Sequence, residues 1–136
     1  EMTYVQHTTV HNLRLSDDEL RAAYSGATAL VFPSKYEGFG LPPLEAMASG
    51  CPVITCRNSS IPEVVGDAAL FVGDEDINGL VAALISVQKP EVREDLVRRG
   101  VERAKGFSWE RMATTVAREL VGIAESVRQA RRARKN

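Results

Sequence analysis

The sequence predicts an α/β fold, with a parallel β-sheet that carries helices on both faces. Short apolar runs alternate along the chain with longer segments in which apolar residues recur at helical spacing. Because a helix between two strands returns the chain to the same edge of a sheet, this alternation predicts parallel strands. The runs are apolar throughout, which is typical of strands that helices cover on both sides.

Length and charge narrow the class of protein. The chain has 136 residues, enough for about one domain, and an apolar fraction of 44%, which is ordinary for a globular fold. It has 17 basic and 18 acidic residues and a formal net charge of −1. Since most nucleic-acid-binding proteins need a broad positive field, we expect no nucleic-acid partner.

Two further features concern the compartment. No run is long and apolar enough to span a bilayer, and no signal-peptide pattern opens the chain. We therefore expect a cytoplasmic protein, and one cut from a longer chain, because strand-like sequence begins almost at Glu1. Cys51 and Cys56 flank a buried strand at an odd spacing, which places them on opposite faces, so we expect reduced thiols.

The first predicted elements are a strand, a helix and a second strand. Tyr4–Val10 is rich in the β-formers Thr, Val and Tyr. Ser16 and Glu19 have the spacing of a capping box, which predicts a helix that ends near Gly26. The apolar run Ala29–Phe32 then predicts a strand covered on both faces.

A loop over residues 33–40 comes next, followed by a helix that begins near Pro42 or Pro43, where a missing N–H costs nothing. Gly50 should end this helix, before a strand around Val53. The later predictions are a short turn with a second capping box at Ser60 and Glu63, a strand over 69–72, and helices over 77–85, 91–104 and from near Ser108 onward.

The loop before the second helix is the best candidate for a ligand site. It follows a buried strand, and ligands of open α/β sheets bind at the carboxyl ends of strands. Gly38 and Gly40 let the backbone approach a ligand closely, and the free N–H groups of a first helical turn suit an anion. The pattern predicts a phosphate site.

Two glutamates, Glu37 and Glu45, border the same loop. At about 7 Å and an effective dielectric near 20, a carboxylate repels a phosphate charge by roughly 2.4 kcal/mol. That exceeds the ~0.3 to 1 kcal/mol that a helix terminus offers an anion. The glutamates should therefore accept hydrogen bonds from neutral hydroxyls, which predicts a sugar nucleotide. The alternative is that Glu45 is an exposed helix residue and Glu37 a solvated loop acid.

The run from Phe32 through Ile54, with the E-x7-E spacing of Glu37 and Glu45, resembles the donor-binding half of family 4 glycosyltransferases, which are retaining enzymes of GT-B fold. The resemblance extends to Leu15–Leu20, Tyr24, Ile61–Ala69 and Phe107–Trp109. It implies a Rossmann-like parallel sheet, here the N-terminally truncated C-terminal half of a GT-B fold. Residues 1–106 would be a partial nucleotide-sugar-binding domain and residues 107–136 a C-terminal helix, which in family members often crosses to the other domain.

By this resemblance Glu37 is the catalytic residue that contacts the transferred sugar, and Glu45 holds the ribose hydroxyls. The backbone that approaches the diphosphate and the sugar would be that of Gly38, Phe39, Gly40 and Leu41. The implied reaction moves a sugar from a nucleoside diphosphate donor to an unidentified acceptor hydroxyl with retained configuration, and uses no metal or other cofactor. Catalysis would rest on leaving-group stabilisation and orientation, because no nucleophile is evident.

Part of such a site would have to lie upstream of Glu1. The resemblance implies an Arg and a Lys there that neutralise the diphosphate, and a whole N-terminal domain that binds the acceptor. We therefore expect this chain alone to be inactive. Lys35 and Arg57 are the basic residues close to the loop, and each is expected either to help with phosphate or to stay solvated.

Other patterns suggest simpler interpretations. Asp74–Asp76 matches a metal-binding D-x-D pattern, but it precedes an amphipathic helix, so we expect helix capping. His7 and His11 would lie about 13 Å apart on a strand, too far to share a metal. The basic residues from Arg128 to Lys135 either form a frayed helix end that water solvates, or they draw that end to anionic lipid. Apolar residues on one face of that helix, from Trp109 onward, are expected to pack.

Two alternatives of other classes remain on sequence alone. One is a sugar-nucleotide epimerase or a phosphorylase built on the same two-domain plan; a phosphorylase would need a cofactor lysine, which nothing in the sequence marks. The other is a non-catalytic binding or interaction module with the same pocket shape.

Overall fold

A computed structural model describes residues 10–133, and within them the predicted α/β fold with a parallel sheet is confirmed. The sheet has the strand order β1-β2-β3, and both pairs are parallel. The predicted strand Tyr4–Val10 lies outside the described residues except for Val10, which is in no strand. In chain order the elements are α1 (Asp17–Gly26), β1 (Leu30–Phe32), α2 (Leu41–Ala48), β2 (Val53–Cys56), α3 (Ile61–Val65), β3 (Ala69–Val72), α4 (Ile77–Ser86), α5 (Pro90–Ala104) and α6 (Trp109–Ala133).

The start of α1 is the capping box that the sequence predicts. The Glu19 carboxylate accepts hydrogen bonds from the N–H and from the hydroxyl of Ser16, each at 2.8 Å. These bonds, the backbone one first, hold the pKa of Glu19 below its ordinary value. The helix begins at Asp17 and ends at Gly26, as predicted.

Helices pack on both faces of the sheet, because successive residues of the central strand β2 point to opposite sides. On one face, Val53 belongs to a core cluster with Met47 of α2 and residues of α3. On the other face, Ile54 packs with Val87, at the C-cap of α4, and with Leu96, in the middle of α5. All of β2 is buried.

The expectation that β1 is covered on both faces is wrong within the described part of the chain. The middle residue of β1, Val31, is 37% exposed there. Pairing explains the difference: β2 lies between two strands, whereas β1 pairs only with β2 among residues 10–133. An apolar run therefore indicated a strand correctly but not its position in the sheet.

The loop enters α2 through Gly40, which is buried and has φ 106°, a conformation that side chains rarely adopt. A Cβ atom there would lie 2.8 Å from Ile61 Cδ1. The helix begins at Leu41 rather than at Pro42 or Pro43. The loop after β1 therefore packs closely against Ile61, the first residue of α3.

The second predicted capping box does not form. Ser60 occupies the N-cap position of α3, but its side chain makes no capping hydrogen bond. Its hydroxyl instead lies 2.9 Å from the Glu37 carbonyl oxygen and 2.8 Å from that of Phe39. These carbonyl oxygens belong to a loop that is distant in the chain, so the sequence pattern could not indicate that the Ser60 hydroxyl is turned toward them.

The last helix, α6, forms as predicted but its apolar stripe is not packed within the described residues. Trp109 is 71% exposed, and Leu120 and Ile123 are each 62% exposed. The expectation that this stripe packs is therefore wrong for the part of the chain that the structure describes. None of the described helices is long and apolar enough to cross a membrane.

Candidate functional site

The loops that follow the strands meet at the carboxyl edge of the sheet, where the sequence predicts a ligand site. The Asn58 side-chain N–H groups, beyond β2, donate to the Ser34 carbonyl at 3.4 Å and to Asp74 Oδ1 at 2.7 Å. Lys35 and Glu75 form an ion pair of 2.9 Å between the loops after β1 and β3. These contacts connect the loops after β1, β2 and β3 into one rim.

Glu37 lies on this rim, partly buried in the loop after β1. The Ser34 hydroxyl donates to Glu37 Oε1 at 2.8 Å and so orients the carboxylate. Within residues 10–133 the other carboxylate oxygen has no hydrogen-bond donor. Glu37 therefore has one carboxylate oxygen held by Ser34 and one that accepts no hydrogen bond from the described residues.

Glu45 lies on α2, about one helical turn after its first residue, Leu41, and its side chain is exposed. Tyr24 of α1 is a neighbour: burial first, and then the Glu45 carboxylate, raise the pKa of the Tyr24 phenol. Neither glutamate is sealed beneath packed side chains. The structure thus places Glu37 at the entry of α2 and Glu45 on the flank of the helix that faces α1.

The backbone between the glutamates presents a row of unpaired N–H groups. Across the described range 10–133, the N–H groups of residues 38–41 donate no hydrogen bond. Gly38, Phe39 and Leu41 are exposed, so their N–H groups are open to solvent, whereas Gly40 is buried. A ligand with acceptor oxygens would pair them.

The helix itself supplies less of this row than expected. Leu41 is the first residue of α2, and the next two positions are Pro42 and Pro43, which have no N–H. The expectation that the first helical turn offers several donors is therefore wrong: from α2 only the Leu41 N–H remains among its first three residues. The other donors belong to the glycine loop.

The two basic residues near the loop are engaged with protein groups. Lys35 pairs with Glu75, and both side chains are mostly exposed, so the pair is worth about 0 to 1 kcal/mol. The Arg57 guanidinium lies over the Phe71 ring, 4.1 Å from its centroid. Both cations are therefore engaged with groups of the protein, Lys35 with a carboxylate and Arg57 with an aromatic ring.

The acidic triplet has structural partners, as expected. Asp76 caps α4 by accepting the Gly79 N–H at 2.8 Å, while Asp74 and Glu75 accept from Asn58 and Lys35. His7 lies outside the described residues. Among the described residues, no three His, Cys, Asp or Glu side chains are grouped closely enough to hold a metal ion.

The structure also shows an apolar groove that sequence reasoning missed. It has a volume of about 380 Å³ and lies between the α2 entry and the start of α6. Phe39 and Phe107 meet edge-to-face in it, with ring centroids 5.9 Å apart. Its signal in the sequence was an apolar residue between two glycines, at Phe39, which shows only when α6 is placed beside it. The other apolar lining residues include Leu41, Leu44, Trp109, Met112 and Val116.

The hydroxyls that hold the loop were missed as well. Ser59 and Ser60 contact the carbonyl oxygens of the loop, and Ser34 contacts the Glu37 carboxylate. Their only sequence signal is that serines follow β1 and β2 at the edge where ligands bind.

Comparison with known proteins gives one family. Residues 4–105 match the family described as "Glycosyl transferases group 1". Over 99 residues the chain is 46% identical to "O-antigen chain mannosyltransferase B" of Escherichia coli, which covers 72% of this chain and 26% of that relative. Over 109 residues it is 42% identical to "MMP alpha-(1->4)-mannosyltransferase" of Mycolicibacterium hassiacum, covering 76% of this chain and 26% of the relative.

A third relative is more distant. The chain is 34% identical over 119 residues to "Glycogen synthase" of Mycobacterium tuberculosis, covering 85% of this chain and 29% of the relative. The chain thus spans about a quarter of the length of the curated relatives that it matches.

Proposed function

This chain belongs to the glycosyl transferases group 1 family, and from that premise we propose that it is the donor-binding half of a retaining, family 4-like glycosyltransferase of GT-B fold. The enzyme that contains it transfers a sugar from a nucleoside diphosphate to an acceptor hydroxyl, with retained configuration at the anomeric carbon. The observation that carries the proposal is the row of unpaired N–H groups at residues 38–41, which lies beside Glu37 and leads to Glu45 on α2.

In the proposed reaction the N–H groups bind the diphosphate. As the bond between the sugar and the diphosphate breaks, negative charge grows on the departing phosphate oxygen, and preorganised donors stabilise it. The cations that complete this site would be an Arg and a Lys from the part of the enzyme upstream of this chain. The chain spans about a quarter of the length of these relatives, and in the proposal another domain of the enzyme binds the acceptor.

The two glutamates bind neutral hydroxyls. Ser34 holds one oxygen of Glu37, which leaves the other to accept a hydrogen bond from the transferred sugar. Glu45, exposed on α2, accepts from the ribose hydroxyls of the nucleotide. This division avoids the repulsion between carboxylate and phosphate, roughly 2.4 kcal/mol at ~7 Å.

For the sugar we propose mannose, since the relatives at 46% and 42% identity are named mannosyltransferases; the glycogen synthase relative makes glucose the second candidate. We also propose that no metal acts at Asp74–Asp76, because those carboxylates serve Asn58, Lys35 and the cap of α4. The free, buried cysteines Cys51 and Cys56 suit a cytoplasmic enzyme.

The test separates the ribose contact from the phosphate contacts. We would titrate the ¹⁵N-labelled chain with GDP, GDP-mannose, UDP-glucose and inorganic pyrophosphate and follow the amide resonances of residues 38–41. Dissociation constants near or above 1 mM are expected, about 4 kcal/mol or less of binding, because the upstream cations are missing. Glu45→Ala should raise the dissociation constant of GDP by about 3- to 10-fold, within the roughly 0.5 to 1.5 kcal/mol net value of a typical hydrogen bond, because Glu45 is exposed, and it should not weaken the binding of pyrophosphate.

Three outcomes would count against the proposal. Resonances of residues 38–41 that do not respond to any of these ligands would refute the donor site. Equal loss of GDP and pyrophosphate in Glu45→Ala would refute the ribose assignment. Micromolar binding would show that the chain itself already holds the diphosphate cations. Glu125→Ala on α6, an exposed glutamate remote from the loop in sequence, is the matched control and should change nothing.

A further inference from the structure

Two serine hydroxyls of the β2–α3 turn face the backbone carbonyls of the glycine loop. Ser59 Oγ lies 2.7 Å from the Glu37 carbonyl oxygen. Ser60 Oγ lies 2.9 Å from that same oxygen and 2.8 Å from the carbonyl oxygen of Phe39. Each hydroxyl has one proton, so all contacts cannot be full hydrogen bonds at once. With Ser59 donating to Glu37, the proton of Ser60 is left for Phe39, and both carbonyls are satisfied.

Fixing these carbonyls also fixes the N–H groups that follow them. In a trans peptide the C=O of one residue and the N–H of the next lie in one plane and point in opposite directions. The Glu37 carbonyl therefore sets the direction of the Gly38 N–H, and the Phe39 carbonyl sets that of the Gly40 N–H. With both carbonyls directed at the serines, both N–H groups face away from α3, and both belong to the unpaired row.

The geometry of the turn indicates that the hydroxyls are placed for this contact. Ser59 has φ 52°, in the left-handed region that residues other than glycine adopt at a cost. Ser60 stands at the N-cap position of α3, where a serine side chain usually accepts a helix N–H, yet it makes no such bond. The turn thus has a strained backbone at Ser59 and no side-chain cap at Ser60, and both hydroxyls are directed at the carbonyl oxygens of the glycine loop.

We propose that Ser60 is a positioning residue of the donor site, which acts through the Phe39 carbonyl to aim the Gly40 N–H group at the diphosphate, while Ser59 acts on the Gly38 N–H group in the same way. Ser59 supports it through the Glu37 carbonyl. This inference rests on the proposed function, which supplies the diphosphate. Ser60 itself does not contact the ligand, so its effect is expected on every phosphate-containing ligand alike and not on the ribose contact.

The experiment uses the ¹⁵N-labelled chain with inorganic pyrophosphate and GDP as probes. Ser60→Ala should raise the dissociation constants of both by the same factor, about 3- to 10-fold, because loss of one hydrogen bond loosens the row. It should also shift the Gly40 amide resonance more than that of Gly38 before any ligand is added, because the Phe39 carbonyl shares its peptide plane with the Gly40 N–H. Ser60→Thr keeps the hydroxyl and should restore binding to within about twofold. Ser25→Ala removes a hydroxyl that contacts the Arg21 carbonyl of α1 at 2.9 Å and the Ser49 carbonyl, beyond the other end of α2, at 3.3 Å, and this variant should bind as wild type.

The outcomes distinguish this inference from the proposed function. If pyrophosphate does not perturb residues 38–41 of the wild-type chain, the proposed function is wrong and the inference falls with it. If the wild type binds and Ser60→Ala binds equally well, only the inference is overturned. Loss of GDP but not of pyrophosphate in Ser60→Ala would also overturn it. Should Ser60→Ala not fold, Ser60→Cys keeps a similar side chain with a weaker donor, and wild-type affinity in that variant would overturn the inference.

Discussion

The two glycines of the loop look equivalent in the sequence, but the structure predicts opposite responses to alanine. Gly40 has φ 106°, and an added Cβ would lie 2.8 Å from Ile61 Cδ1. Gly38 has no atom within 4 Å of an added Cβ and no positive φ. Gly40→Ala should therefore destabilise the fold, and Gly38→Ala is the matched control that should not.

The size of the effect follows from two separate costs. A residue other than glycine at such a φ costs about 1 to 3 kcal/mol of backbone strain. Overpacking against a fully buried neighbour adds about 1 to 3 kcal/mol, and Ile61 is 0% exposed, so it has little room to move. Together they predict a loss of about 2 to 6 kcal/mol in the free energy of unfolding, a large part of the ~5 to 15 kcal/mol that a domain has.

The assay is urea unfolding followed by circular dichroism, with a double-mutant cycle to separate the two costs. Ile61→Val removes the Cδ1 atom that an alanine at 40 would meet, at a cost of about 0.5 to 1.5 kcal/mol by itself. Combined with Gly40→Ala, it should recover about 1 kcal/mol or more relative to additivity, because only the steric cost is relieved. Additive losses would show that strain in φ is the whole effect.

Two results would refute the reasoning itself. One is a Gly40→Ala protein within about 0.5 kcal/mol of wild type, the range of ordinary surface substitutions. The other is a Gly38→Ala protein that loses as much stability as Gly40→Ala. Either would mean that the loop does not enter α2 by the conformation described above.

Two further predictions follow from perturbed pKa values. Because the folded-state pKa of Glu19 lies below its ordinary 4.5, its carboxylate stabilises the fold above that pH and loses this effect as the pH falls through the lower folded value. Glu19→Gln should therefore lower the urea midpoint at pH 7 but not at pH 2, and equal differences at both would contradict the assignment. Burial raises the pKa of the Cys51 and Cys56 thiols, so both should react with a thiol reagent at pH 8 only after urea unfolds the chain, and rapid labelling of the folded protein would count against their burial.

Most elements could be predicted because their signals are local. The capping box at Ser16 and Glu19 starts α1, and the apolar runs near Val53 and Leu70 are β2 and β3. Helix capping by Asp76 was predicted in the same way, from an acid before an amphipathic segment. These interactions join residues a few positions apart, so the sequence contains all of their partners.

The sequence predicts where the candidate site lies, but not which side chains hold its loop. The strand–loop–helix order placed the ligand loop at the carboxyl edge of the sheet, and Gly40 marked the entry of α2. The spacing of Ser60 and Glu63, however, predicts a capping box just as that of Ser16 and Glu19 does, and only the latter forms. The difference is the direction of the side chain: Ser60 Oγ is turned toward the carbonyl oxygens of Glu37 and Phe39, which lie within 2.9 Å of it although they are more than 20 positions away in the chain.

By itself, then, the sequence determined which segments are helices and strands, that the strands run parallel, and which loop carries glycines between two acids. Those properties depend on propensity, periodicity and neighbours along the chain. Only the tertiary structure decided that β1 has an exposed face, that the stripe of α6 lies open among the described residues, and that Ser60 serves the loop instead of its helix. Which face is buried, and which acceptor a hydroxyl meets, depends on the groups that folding brings nearby. Those groups are distant in the chain, so no local sequence pattern contains them.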